Sequence, residues 1–153
     1  MATQTEQPRA TEGSSYDQDF YLWCYRMAEL IRAGRFEDVD RENVAEEIES
    51  LARRDFTELK SRTRTLIAHL LKRDFQPQKH TRSCDATIRE QRVTIQDNIG
   101  DIPSLRRRLP ALIHDLYEDA VARAMDETGL ERNAFPKVCP YDEVQVYGEW
   151  VQE

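Results

Sequence analysis

A chain of 153 residues with 39% apolar and 33% charged side chains is long enough to bury a core without disulfide or metal, since a domain of this size hides roughly 70% of its unfolded surface. Five Gly and six Pro among abundant Glu, Arg, Ala and Leu favour long helices, and the net charge of −7 argues against a uniformly basic nucleic-acid binder. Cys24, Cys84 and Cys139, odd in number and widely spaced, exclude a disulfide framework and suit a reducing compartment.

The opening fifteen residues are polar, small and interrupted by breakers, so residues 1–15 read as a disordered tail and 16–153 as a single helical domain. The opening also lacks the basic start and apolar run of a secretory signal, and the longest clean apolar run is the six residues of FYLWCY. A membrane helix needs about eighteen or more. The expectation is a soluble, cytoplasmic protein without membrane attachment.

Asp17 or Ser15 opens the first helix, whose apolar stripe is Phe20, Trp23, Met27, Leu30 and Ile31, with Gly34 as its stop. The second opens at Asp40, with Asn43 as a rival start, and meets no breaker before Pro77. Its stripe is Ala45, Ile48, Ala52, Phe56, Leu59, Thr63, Leu66 and Leu70. At about 1.5 Å per residue it spans roughly 50 Å, too long for one small domain to cover at both ends, which calls for a bend or a partner. That length leads us to expect a homodimer.

A third helix runs from Ser83 to Gly100 on Ile88, Ile95 and Ile99. The fourth reads as a short turn over Ser104 to Leu109, then a longer piece from Pro110 to Thr128 capped by Gly129. The remaining segment, LERNAFPKVCPYDEVQVYGEWVQE, holds two prolines and four aromatics. It reads as an extended strap over the bundle with a short helix near Asp142 to Tyr147. No strand pair carries hairpin chemistry. The fold class is therefore all-α: a bundle of about four main helices, the second long, with an aromatic and proline-rich C-terminal strap.

Catalytic patterns are sparse. No stretch has the spacing of a glycine-rich phosphate loop or of a GxSxG elbow. A di-metal bundle needs Glu-x-x-His on two helices, and the residues three before His69, His80 and His114 are Leu66, Pro77 and Ala111. His80 and Cys84, four apart, could complete a metal site with His69 and Cys139 only by gathering ligands strung over seventy residues, so neither metal nor cofactor is expected. His69, amid the apolar LIAHLL, reads as a hydrogen-bonded core histidine, or else as part of a polar site. The run AEEIESL reads as a solvated face with Glu49 and Arg53 paired at i,i+4, or with Glu46 or Glu47 turned inward to an arginine.

Charge is unevenly spread, with nets of −7 over 1–52, +6 over 53–92, +1 over 93–109 and −7 over 110–153. A basic centre can be a nucleic-acid footprint or can be neutralised by the acidic ends folding back on it. The arginines and lysines of the second helix scatter around it rather than share a face, which favours self-neutralisation. Specific nucleic-acid binding is not expected.

The ordered blocks YDQDFYLW, ENVAEEIESL, LIAHLLKRDFQPQK, TIREQR, PSLRRRL and ETGL…FPKVCPY resemble the bacterial domain-of-unknown-function family twenty-nine, from Tyr16 to about Trp150. The resemblance implies an all-helical fold and no particular activity. It also implies tryptophan as the common residue at the position of Cys84, against a metal role there. The family-like polar residues are Glu46, Glu47, Glu49, His69, Lys72, Arg82, Gln91 and Arg92, the places to look for a site. The leading functional expectation is a non-enzymatic interaction or regulatory module. A nucleic-acid-associated protein using 53–92, and an enzyme with a polar cleft around His69 and Glu46/Glu47, are the alternatives.

Overall fold

The computed structural model describes residues 15–152; the tail expected over 1–15 lies, apart from Ser15, outside the described residues. Seven α-helices are described: α1 (Phe20–Arg32), α2 (Arg41–Phe75), α3 (Arg82–Ile99), α4 (Pro103–Arg106), α5 (Leu109–Asp115), α6 (Tyr117–Thr128) and α7 (Glu143–Tyr147). Short 3-10 turns punctuate the connections, and no strand occurs among the described residues. The protein is all-α. No helix among these residues is long and apolar enough to cross a membrane.

Contacts gather the described residues into two compact units, divided between Arg53 and Arg54. The burial pattern explains the division. After Leu30 the next fully buried side chain is Leu59; between them only the partly buried Val39 and Val44 pack on the first core and Phe56 on the second.

In the first unit, the Asp19 carboxylate accepts from the Leu22 amide and starts α1. Trp23, Met27 and Leu30 turn inward, where partly buried Tyr16, Cys24, Val39 and Val44 pack on them. Gly34, at φ +72°, ends the helix in a conformation that a side chain resists. The Asp40 carboxylate accepts from the Asn43 amide at 3.4 Å, settling the start of α2 at Asp40.

Two expectations fail in this unit. Ala45, Ile48 and Ala52, assigned to the inward stripe of α2, are exposed. The first unit packs through Val44, and successive helical residues are about 100° apart, so the predicted stripe is rotated off the face in use. Phe20 and Ile31, assigned to the inward stripe of α1, are 47% and 43% exposed. The buried trio centres on Trp23 and Met27, leaving those two at its edge.

In the second unit α2 continues without a break and buries Leu59, Thr63, Leu66, Ile67, Ala68, Leu70 and Leu71. The Thr81 hydroxyl caps α3, which adds Cys84, Ile88, Ile95 and Ile99. Pro110 sits in the first turn of α5, and Gly129, at φ +72°, closes α6. The expected continuous helix from Pro110 to Thr128 is broken at Leu116 (φ −100°, ψ 0°), which ends α5 and precedes α6. The buried set here includes Leu112, Leu116, Ala120 and Ala124, stepping by four. Four residues advance about 400°, so such a row drifts about 40° per step around a straight helix. A break at Leu116 keeps both halves facing the core.

The C-terminal segment behaves as a strap. Phe135 is buried edge-to-face against Phe75 with ring centres 5.9 Å apart, and the Tyr117 hydroxyl donates to the Pro136 carbonyl at 2.7 Å. Burial pushes the Tyr117 phenol up to about 12. Asp142 and Gln145 form a reciprocal capping box that starts α7. Tyr147 is wholly buried, its hydroxyl donating to the Leu109 carbonyl at 3.2 Å and lying 3.3 Å from Thr63 Oγ1.

Candidate functional site

The polar residues singled out from sequence separate into the two units. In the first, Glu46 and Glu49 both meet Arg53, at 2.5 and 3.4 Å, on an exposed face. Glu47 instead accepts the Tyr16 hydroxyl at 2.5 Å, which ties the start of the unit to α2 and raises the Tyr16 pKa. The glutamates thus act as a solvated ion-pair face and a tether.

In the second unit His69, on α2, stands 3.4 Å (Nδ1) from Cys84 Sγ, on α3, and the thiol is also 3.6 Å from the His69 carbonyl. Burial, and then the nearby Lys72 ammonium, push the His69 pKa down. Burial pushes the Cys84 thiol up. Both shifts favour neutral forms, the opposite of the thiolate–imidazolium pair a nucleophilic cysteine needs. Beside them, Lys72 Nζ donates to Glu127 Oε2 at 2.6 Å, and Arg123 donates to Glu127 Oε1 at 2.9 Å and to Thr65 Oγ1 at 2.7 Å. Burial works against the Glu127 carboxylate, yet those two donors hold its pKa below the ordinary value.

The other family-like residues divide likewise. Gln91 Oε1 accepts from Arg62 NH1 at 3.2 Å. Arg92 donates from Nε to the Val146 carbonyl at 2.9 Å and from NH2 to the Gln145 carbonyl at 2.5 Å, satisfying the last turn of α7. Arg82 is exposed at the start of α3. Gln91 thus fastens α3 to α2, and Arg92 fastens α3 to the strap.

The four residues weighed as metal ligands also part company. His69 is beside Cys84, His80 Nε2 lies 2.9 Å from Asp85 Oδ2, and the Cys139 thiol faces the Tyr141 carbonyl at 3.9 Å. Among the described residues no three His, Cys, Asp or Glu side chains gather as ligands. All three cysteines are free thiols.

A cleft of about 240 Å³ between α2 and α3, missed from sequence, is lined by Asp55, Glu58, Leu59, Arg62, Ile95, Asn98 and Ile99. It falls below the roughly 300–1,000 Å³ of small-molecule sites. Three of its polar groups satisfy one another, since Glu58 Oε1 takes Arg62 Nε at 2.8 Å and Asn98 Nδ2 at 3.4 Å. The basic central segment is answered within the unit too: Arg64 meets Asp119 at 3.3 Å and Lys72 meets Glu127 at 2.6 Å.

What stands out instead is apolar surface. Of eight large apolar side chains exposed among the described residues, six belong to the first unit: Phe20, Tyr21, Ile31, Phe36, Ile48 and Leu51, each 43–63% accessible. That unit buries only three. Periodicity misplaced Phe20, Ile31 and Ile48 in a core, and the sequence signal that distinguishes them is the brevity of the hairpin beneath them.

The arrangement defines an all-helical protein in which most of the singled-out polar residues pair with one another and the first unit exposes more large apolar side chains than it buries. The chain belongs to the family described as Domain of unknown function DUF29, which matches residues 15–151. No curated protein matches it, and no solved structure does.

Proposed function

We propose that the chain is a non-enzymatic helical interaction module of the cytoplasm, in which residues 15–53 present an apolar face to another protein surface. The carrying observation is the contrast within the first unit: six exposed large apolar side chains against three buried ones. Apolar surface left uncovered beyond what single scattered side chains account for marks interaction sites on folded proteins. A hairpin of about forty residues is also near the size below which a segment needs disulfides, metals or oligomerisation to hold its fold. Three free thiols fit a reducing compartment.

The test places a photo-crosslinking amino acid at Ile48, with Gln96 on α3 as an exposed control, in cells producing the full chain. A discrete cross-linked protein species from position 48 and none from 96 is expected. Equal yields from both, or none from position 48, overturn the reading.

A further inference from the structure

Beside its buried face α1 carries a second seam, of which the first unit's own core takes up only the edge of Cys24. On α1, Tyr21, Cys24, Ala28 and Ile31 are spaced three, four and three residues apart, the repeat by which paired helices interlock. At about 100° per residue they fall within an arc of about 80°, beside the face occupied by Trp23, Met27 and Leu30. Tyr21 and Ile31, at the ends of the seam, are 59% and 43% exposed. Cys24 and Ala28, at its middle, are small enough to let a second helix approach closely.

Charge says which helix fits. Asp17 precedes the seam and Arg32 follows it; both are exposed, and neither forms an ion pair among the described residues. A copy of α1 laid antiparallel brings Asp17 of each chain to Arg32 of the other, whereas a parallel copy sets like against like. The acidic excess of the unit lies instead on α2, at Glu42, Glu46, Glu47 and Glu49. Residues 17–35 balance three carboxylates with three arginines, so α1 is the element on which two copies meet without net repulsion. A twofold arrangement uses the same patch on both partners, and here the patch is self-complementary.

We infer that the surface covering α1 is a second copy of this chain, paired antiparallel through Tyr21, Cys24, Ala28 and Ile31, with Tyr21 of one copy facing Ile31 of the other and Cys24 facing Ala28. The inference names the partner for the interaction module proposed above and rests on that reading.

Light scattering coupled to gel filtration, on the full chain at tens of micromolar, should give a mass near twice 18.0 kDa. Asp17→Lys should shift the population toward monomer, and Asp17→Lys with Arg32→Glu should restore the dimer, because the antiparallel charges are then exchanged rather than opposed. Neither substitution touches the buried trio or the second unit, so circular dichroism of the double exchange should match that of the wild-type dimer. Ala28→Cys under mild copper-catalysed oxidation should yield a covalent dimer absent from the wild-type chain. A wild-type mass of 18.0 kDa at every concentration overturns the inference. So does an Asp17→Lys effect that the double exchange fails to reverse. A monomer that still cross-links from position 48 in cells removes the second copy and leaves the interaction module standing; loss of both removes both.

Discussion

Tyr147 offers the sharpest test of the second unit, because one wholly buried side chain joins α7 to α2 and α5. Tyr147→Phe keeps the ring and removes the hydroxyl, losing the bonds to the Leu109 carbonyl and to Thr63. Each such bond contributes about 0.5–1.5 kcal/mol net, and lengths of 3.2 and 3.3 Å place them at the weaker end, so about 1–2 kcal/mol is expected. Tyr147→Ala also empties the ring's volume, which for a large aromatic costs about 3–5 kcal/mol, a large share of the roughly 5–15 kcal/mol that holds a domain together. Urea unfolding followed by circular dichroism reads both values. At about 2–4 °C per kcal/mol, the Phe variant should melt roughly 2–8 °C below wild type. Thr63→Val in the Phe background should cost less than it does alone, since the two hydroxyls share one contact. A Phe variant indistinguishable from wild type, with an Ala variant losing less than about 1 kcal/mol, would refute the claim that the strap is locked by this residue.

Trp23, 3% exposed, is one of three side chains in the core of the first unit, so Trp23→Ala should melt α1. The helical signal should fall while Trp150, then the one tryptophan left, still reports a cooperative transition; an unchanged spectrum would place Trp23 outside the core. His69 has a folded pKa below its ordinary 6.5, so protonation favours the unfolded chain, and its contribution is intact above about pH 6.5 and lost as pH falls through the lower folded value. Denaturant midpoints between pH 7.5 and 5.5 should therefore drop more in wild type than in His69→Gln, and parallel drops would contradict the assignment.

Much of this architecture is legible because its signals are local. The Asp40 start of α2, Pro110 in a first turn, Gly129 at a helix end and the Asp142–Gln145 box each act within four residues. What sequence misplaces depends on distant partners. Ile48 follows the periodicity of α2 as well as Leu59 does, yet one is 63% exposed and the other 3%, because the small first unit packs on Val44 and not on Ile48, while Leu59 turns into the larger core of the second. The break at Leu116 has no glycine or proline to announce it. Apart from the local Glu49–Arg53 pair, the polar candidates are legible as residues but not as pairs. Nothing near Lys72 in the chain points to Glu127, nor near Arg92 to the end of α7, because hydrogen-bond partners 53 or more residues away are set by tertiary fold.

The account turns on the claim that residues 15–53 do not hold their fold unaided and depend on a surface that covers their apolar face. Amide hydrogen exchange on the dilute, purified chain addresses this directly, since a bound surface stabilises only in proportion to its occupancy. In submicromolar protein, the amides of Trp23 to Leu30 should exchange orders of magnitude faster than those of Leu66 to Leu71. Protection in α1 equal to that of the buried stretch of α2 at such dilution would contradict the account.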